Sequence, residues 1–238
     1  MTISANMRTD IKQEERVRVV EFTKQNGVIP KRIITLPSRE GWCAILFRKT
    51  WPQSTIIGIE RSQLIARKDT LVQPVPNALH PMNQLYCISV EEMLQGMVPQ
   101  QQLIVPAKNR SGGTIQTLVS SDPELASAQT KINDSFQPSF DYGRYDLAFL
   151  DFCGSWKERV DSVQEACAKL LNLNENGAVM ATTFQMKNRT DAVQPADVMK
   201  QLLNFGPDVG FKVSQHLFWP YVNRGSHMCL FALFIQTL

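Results

Sequence analysis

Residues 211–238 read FKVSQHLFWPYVNRGSHMCLFALFIQTL, and the order of elements in this tail constrains the fold of everything before it. "FKVSQHLFWPYV" (Phe211–Val222) and "HMCLFALFIQTL" (His227–Leu238) are two strand-like runs, rich in β-branched and aromatic residues. Only "NRGS" (Asn223–Ser226) lies between them, which is too short for a helix and suits a hairpin with glycine in its turn. The final strand is therefore expected to run antiparallel to the one before it.

Upstream of the tail the chain alternates. "RIITL" (Arg32–Leu36) is a short apolar run that predicts a buried strand, and "GWCAILFRKTW" (Gly41–Trp51) predicts a helix stopped by Pro52. "STIIGIERS" (Ser54–Ser62) predicts a second buried strand ending on Glu60, followed by a helix over "SQLIARKDTLV" (Ser62–Val72). "QLYCISVEEML" (Gln84–Leu94) reads as a third strand entering a short helix. "RYDLAFLDFCGSW" (Arg144–Trp156) predicts a strand ending at Asp151. "KERVDSVQEACAKLLN" predicts an amphipathic helix with Val160, Val163, Ala166, Cys167, Leu170 and Leu171 on one face. "NENGAVMATTFQ" is a strand entered through Asn176-Gly177, and "QPADVMKQLLNFG" a helix with Pro195 near its start and Gly206 at its end. Such alternation implies parallel strands with right-handed helical crossovers, an α/β sheet covered on both faces.

Two segments stand outside this rhythm. Asp10 to Gln25 predicts a surface helix closed by Asn26-Gly27. The stretch from Gln95 to Tyr142 is rich in Gln, Ser, Asn and Pro, and its two apolar runs flank "KNRSGG", a hairpin signature. It has too few apolar residues for a core of its own and reads as an insertion on the sheet.

Composition bounds the function classes. The chain has 238 residues, of which 43% are hydrophobic and 20% charged, values typical of a globular protein with a sizeable core. Its formal net charge of +3 is too mild to demand a nucleic-acid partner. Cys43, Cys87, Cys153, Cys167 and Cys229 form no close pair, so neither a zinc site nor a disulfide framework is indicated, and reduced thiols in a cytoplasmic protein are expected. The three histidines, His80, His216 and His227, have no metal-ligand spacing. No stretch is long and apolar enough to span a membrane.

A parallel alternation finished by an antiparallel hairpin resembles the class I S-adenosylmethionine-dependent methyltransferases. The resemblance implies a Rossmann-like, doubly wound, mostly parallel seven-stranded α/β sheet whose antiparallel last strand lies between the fifth and sixth. It covers Ile33 to the C-terminus. It leaves residues 1–30 as an N-terminal helical extension of a methyltransferase-like domain, 31–238, with the insertion at about 95–143.

The resemblance also implies S-adenosylmethionine as cofactor and assigns its contacts. The loop after the first strand is "LPSREGW", so Leu36, Pro37, Ser38, Glu40 and Gly41 would wrap the methionine and ribose parts. The family usually places several glycines there; this loop has Gly41 alone. Adenosylmethionine has no pyrophosphate, so its turn needs close backbone approach but no phosphate nest. Glu60, followed by Arg61, ends the second strand, where a carboxylate can accept from both ribose hydroxyls. Ser89, Val90 and Glu91 fall where the family reads adenine, while Glu92 is a helix-start charge. "LDFCGSW" carries Asp151, Phe152 and Cys153 to the methyl-transfer position, with Asp151 as acceptor orienter or base and Cys153 in the cleft wall.

The Pro-Cys motif of cytosine-C5 enzymes and the Asn/Asp-Pro-Pro-Tyr/Phe motif of amino-methylating DNA enzymes are both absent. The acceptor is therefore not written in the motifs. The basic charge, Lys108 and Arg110 in the insertion, and Arg144 weigh toward RNA or DNA. Trp156 and "FWPY" (Phe218–Tyr221) are aromatic groups suited either to stacking on a planar substrate or to packing. Two rival readings remain: a non-catalytic, cofactor-binding or scaffold subunit with the same fold, and a nucleotide-dependent oxidoreductase. Both the missing G-x-G-x-x-G and the antiparallel tail oppose the second rival.

Overall fold

The computed structural model describes residues 5–37, 41–60, 82–86, 88–97, 102–104, 116–118, 141–186, 195–208 and 210–238. In chain order the elements are α1 (Ala5–Gln25), β1 (Arg32–Thr35), α2 (Trp42–Thr50), β2 (Thr55–Ile59), β3 (Gln84–Tyr86), α3 (Val90–Leu94), β4 (Gln102–Ile104) and β5 (Gln116–Leu118). They continue with β6 (Leu147–Ser155), α4 (Trp156–Leu170), β7 (Ala178–Gln185), α5 (Pro195–Asp208), β8 (Phe211–Asn223) and β9 (Ser226–Thr237). The strands hydrogen-bond in the order β5-β4-β3-β2-β1-β6-β7-β9-β8. The seven expected strands are all present in the expected order, and the insertion adds two more, β4 and β5, beyond β3. The helix expected over Ser62–Val72 and the "KNRSGG" loop lie outside the described residues.

The chain divides into two compact units, Met1–Ile33 with Arg144–Leu238, and Ile34–Gly143. In the first, β6 pairs parallel with β7, and β9 pairs antiparallel with both β7 and β8. The burial pattern follows from these neighbours. β7 is buried from Ala178 to Phe184 and β9 from Cys229 to Ile235, because both faces of an inner strand are covered. The outermost strand, β8, mixes buried, half-buried and exposed positions. The β8–β9 turn is Arg224-Gly225, with φ of 50° and 79°, so both central residues take the left-handed form that two-residue hairpins require. Asp146 pins the entry to β6: its Oδ2 accepts from the amides of Lys31 and Arg32, and its Oδ1 from Asn172.

Three boundaries differ from expectation. β6 runs beyond Asp151 to Ser155, with a register irregularity between those two residues. Its last residue serves as N-cap of α4, where Glu158 accepts the Ser155 amide at 2.9 Å, so strand and helix meet without a loop. α5 continues past Gly206 to Asp208; a Cβ at Gly206 would lie 2.7 Å from the Phe211 carbonyl oxygen, so this glycine serves a close approach instead of a stop. α1 begins at Ala5, ahead of the expected Asp10.

In the second unit β2 and β3 are parallel, and β3, β4 and β5 are successively antiparallel. The hairpin expected in the insertion is thus an edge extension of the sheet. Arg48 of α2 anchors the turn into β2 by donating to the carbonyls of Pro52 and Ser54 and to the Asn83 side chain.

Candidate functional site

Within the second unit, the carboxyl ends of β1, β2 and β3 come together. Pro37 leaves β1 so close to β2 that a Cβ at Gly58 would lie 3.3 Å from its ring, 2.9 Å from Leu85 and 2.6 Å from the Met82 sulfur. A glycine at 58 therefore lets the first loop, β2 and β3 pack side by side. Leu36 is half-buried and Pro37 buried. Gly41 caps the N-terminus of α2 with φ 66°, the left-handed form that favours glycine, and its carbonyl accepts the Ile45 amide. Glu60 follows β2 directly, half-buried, and its amide donates to the Tyr86 carbonyl at 3.0 Å.

Ser89, Val90 and Glu91 open α3 just beyond β3. Ser89 accepts the Glu92 amide at 3.2 Å, and the Glu92 carboxylate accepts the Ser89 amide at 2.9 Å, a reciprocal capping box. The Ser89 hydroxyl is thus engaged in starting the helix, and Glu92 is the helix-start charge its position suggested. Val90 is buried, and Glu91 is half-buried in the first turn. Ser38, Glu40, Arg61 and the Cys153 side chain lie outside the described residues.

In the first unit, Asp151 sits at the centre of a charged cluster. Lys12 of α1 donates to both of its carboxylate oxygens, at 3.0 and 2.9 Å, and the Thr183 hydroxyl of β7 donates to Oδ1. Lys12 also donates to Glu15 Oε2 at 2.9 Å and lies 3.3 Å from the Tyr221 hydroxyl. Tyr221, on β8, donates to the same Glu15 oxygen at 2.5 Å. Glu15 is fully buried, and its Oε1 is one of the buried side-chain atoms without a hydrogen bond among the described residues. Asp151 and Lys12 each keep about a fifth of their side-chain surface in solvent.

Electrostatics follow from this arrangement. Burial, then the nearby Asp151 carboxylate, pushes the Glu15 carboxyl above its ordinary range. Burial alone would lower the Lys12 ammonium, but Asp151 and Glu15 together outweigh it and hold the group more firmly protonated. Burial and the adjacent Glu15 push the Tyr221 phenol up, so it remains a hydrogen-bond donor. One permanent cation is thus shared between two carboxyl groups, one of which is driven toward its neutral form.

The aromatic candidates are packing groups. Trp156 is buried edge-to-face against Phe184 at 4.8 Å and donates its indole N–H to Gln201. Phe152 is buried and stacked on Phe184, and Phe218 packs on Phe231. Trp219 and Tyr221 stack on each other at 4.7 Å, with the Arg18 guanidinium over the Trp219 ring. Lys12, Glu15 and Thr183 were not among the site residues read from sequence, and Tyr221 was named only within the aromatic run Phe218–Tyr221. The nearest local sign is the Lys12–Glu15 spacing of one helical turn, which also describes countless solvated helix pairs.

No family model matches the chain, and no curated protein does. Solved structures do. The O-methyltransferase TomG from Streptomyces achromogenes, crystallised with S-adenosylmethionine, is similar over 94% of this chain and 80% of its own, with 12% identity and a TM-score of 0.52. A presumptive transferase from Pyrococcus horikoshii is similar over 94% of this chain, with 11% identity and a TM-score of 0.51, and this chain spans 63% of its length. At such identities the likeness speaks for the fold: it is the Rossmann-like fold of class I methyltransferases, with the antiparallel last strand inserted between its two predecessors.

Proposed function

We propose that the protein binds S-adenosylmethionine and transfers its methyl group to an acceptor. The observation that carries this reading is the strand order, with Glu60 directly after β2 and Asp151 in β6 where its continuous pairing with β7 is interrupted. Ligands of open α/β sheets bind at the carboxyl ends of the strands. Gly41, left-handed at the start of α2, supports a turn with close backbone approach. On this reading Leu36, Pro37, Ser38, Glu40, Gly41, Glu60 and Arg61 hold the methionine and ribose, and Ser89, Val90 and Glu91 lie along the adenine. Asp151, Phe152 and Cys153 serve the transfer end, and Asp151 orients the acceptor.

The domain is residues 31–238, with 1–30 as its extension and about 95–143 as its insertion. The acceptor tilts to RNA or DNA on the basic residues already named. A cytoplasmic location fits the buried free thiols Cys43, Cys167 and Cys229. Among the described residues no helix is long and apolar enough to cross a membrane.

A second reading, a non-catalytic cofactor-binding or scaffold subunit, is favoured by one observation: Asp151 is already engaged by Lys12 and Thr183. Calorimetric titration with S-adenosylmethionine, S-adenosylhomocysteine and NAD separates the possibilities. Binding of the two adenosyl ligands with NAD silent is expected, and Glu60→Ala is expected to weaken it by about 1–3 kcal/mol through lost ribose hydrogen bonds. Silence from both adenosyl ligands would sink the cofactor reading, and unchanged affinity in Glu60→Ala would remove Glu60 from the site.

A further inference from the structure

The cluster around Asp151 needs an explanation that stability does not supply. Burying a carboxylate, an ammonium and a phenol gains little over apolar packing, because desolvation offsets the attraction. α1 does not need them for docking, since Val19, Val20 and Phe22 are buried along it and Arg18 lies over Trp219. Those contacts also make α1 a settled part of its unit, not a strap that waits to open. What the cluster does achieve is orientation. Lys12 grips both oxygens of Asp151 and Thr183 donates a third hydrogen bond to it, while Glu15 and Tyr221 share the remaining N–H of the ammonium. A carboxylate accepts about four hydrogen bonds. Three are filled here, and part of the group still faces solvent.

We propose that Lys12, steadied by Glu15 and Tyr221, is a positioning residue for Asp151, fixing its carboxylate as a hydrogen-bond acceptor for a neutral O–H or N–H on the methyl acceptor. This rests on the methyltransferase reading above and deepens it by naming the acceptor's chemistry. A carboxylate paired with a permanent cation has little pull on a cationic substrate. It can still align a hydroxyl or amine hydrogen while the lone pair of the same atom attacks the methyl carbon. The C–S bond then breaks, S-adenosylhomocysteine leaves as a neutral thioether, and the proton passes to solvent after transfer. The N-terminal helix, outside the residues that carry the family resemblance, thereby supplies part of the working site.

The test uses the full chain in three forms: wild type, Lys12→Met and Lys12→Arg. Calorimetry with S-adenosylmethionine comes first; no binding by wild type would fail the parent reading, and this proposal with it. Transfer of a labelled methyl group is then measured to a fixed panel of a catechol, an aliphatic alcohol, an aromatic amine and single-stranded RNA, with thermal melts of each variant. We expect transfer to at least one member, a loss of roughly a hundredfold in kcat for Lys12→Met at unchanged KM for the cofactor, and substantial rescue by Lys12→Arg. Equal turnover in all three forms would overturn the proposal. So would a Lys12→Met defect that tracks a lowered melting temperature without rescue by arginine. Cofactor binding without transfer to any panel member would overturn it too.

Discussion

Glu15 shows how a single residue can make stability depend on pH. Its carboxyl group has no solvent exposure, one oxygen held by Lys12 and Tyr221 and the other without a partner among the described residues. Burial first, then repulsion from Asp151, raises its folded-state affinity for a proton. A group raised in this way contributes stability below its unfolded value, about 4.5, and loses that contribution as pH climbs through the higher folded value. Glu15→Gln cannot ionise. The variant is therefore expected to gain on wild type as pH rises through that window and to hold a constant difference above it. Thermal melts of both proteins from about pH 4 to pH 8 check this; a difference that is flat throughout would mean that Glu15 titrates alike folded and unfolded. At this scale the chemistry was partly legible. Glu60 directly follows its strand, which stops one residue short of the expected end, and Gly41 caps the helix it was expected to open. Lys12 could not be found, because its partner lies 139 residues away and a helix-face lysine carries no local sign of burial.

At the scale of elements, Gly177 ties a readable turn to an unreadable contact. Asn176-Gly177 announces a turn into β7, and φ at Gly177 is 69°. A Cβ there would also lie 2.4 Å from the Phe234 ring and 2.9 Å from the Ile235 carbonyl oxygen, both on β9. Gly177→Ala is therefore expected to cost about 1–3 kcal/mol from backbone strain, and more from the clash. Chemical denaturation measures this, and a variant as stable as wild type would mean that β9 yields at that point. The two capping boxes were equally present in the sequence, as "SVEE" and "SWKE", and they locate the starts of α3 and α4. The end of β6 was harder to read. Asp151 looked like a strand terminus because it is charged, yet the β-ladder resumes at Ser155 after the irregularity.

For the whole molecule, the C-terminal hairpin covers the hydrogen-bonding edge of β7. β9 covers β7 along its full length, from Ala178 against Ile235 to Gln185 against Met228. Removing residues 211–238 would expose an apolar inner strand with an open hydrogen-bonding edge, which invites aggregation. Such a truncated chain is expected to be insoluble on expression. A soluble product with an unchanged far-ultraviolet spectrum would show that the hairpin is an accessory.

The sequence by itself determined the alternation of strands and helices and the hairpin tail, because periodicity and turn chemistry are local properties, while the strand order came from the family resemblance those elements carry. It also placed a carboxylate, Glu60, at the end of β2. Tertiary structure decided the rest: that Asp151 is gripped by a lysine from the first helix, that Trp156 is core, and that the insertion's hairpin joins the sheet edge. Each of these is a contact between residues far apart in the chain, and no local pattern encodes such a pairing.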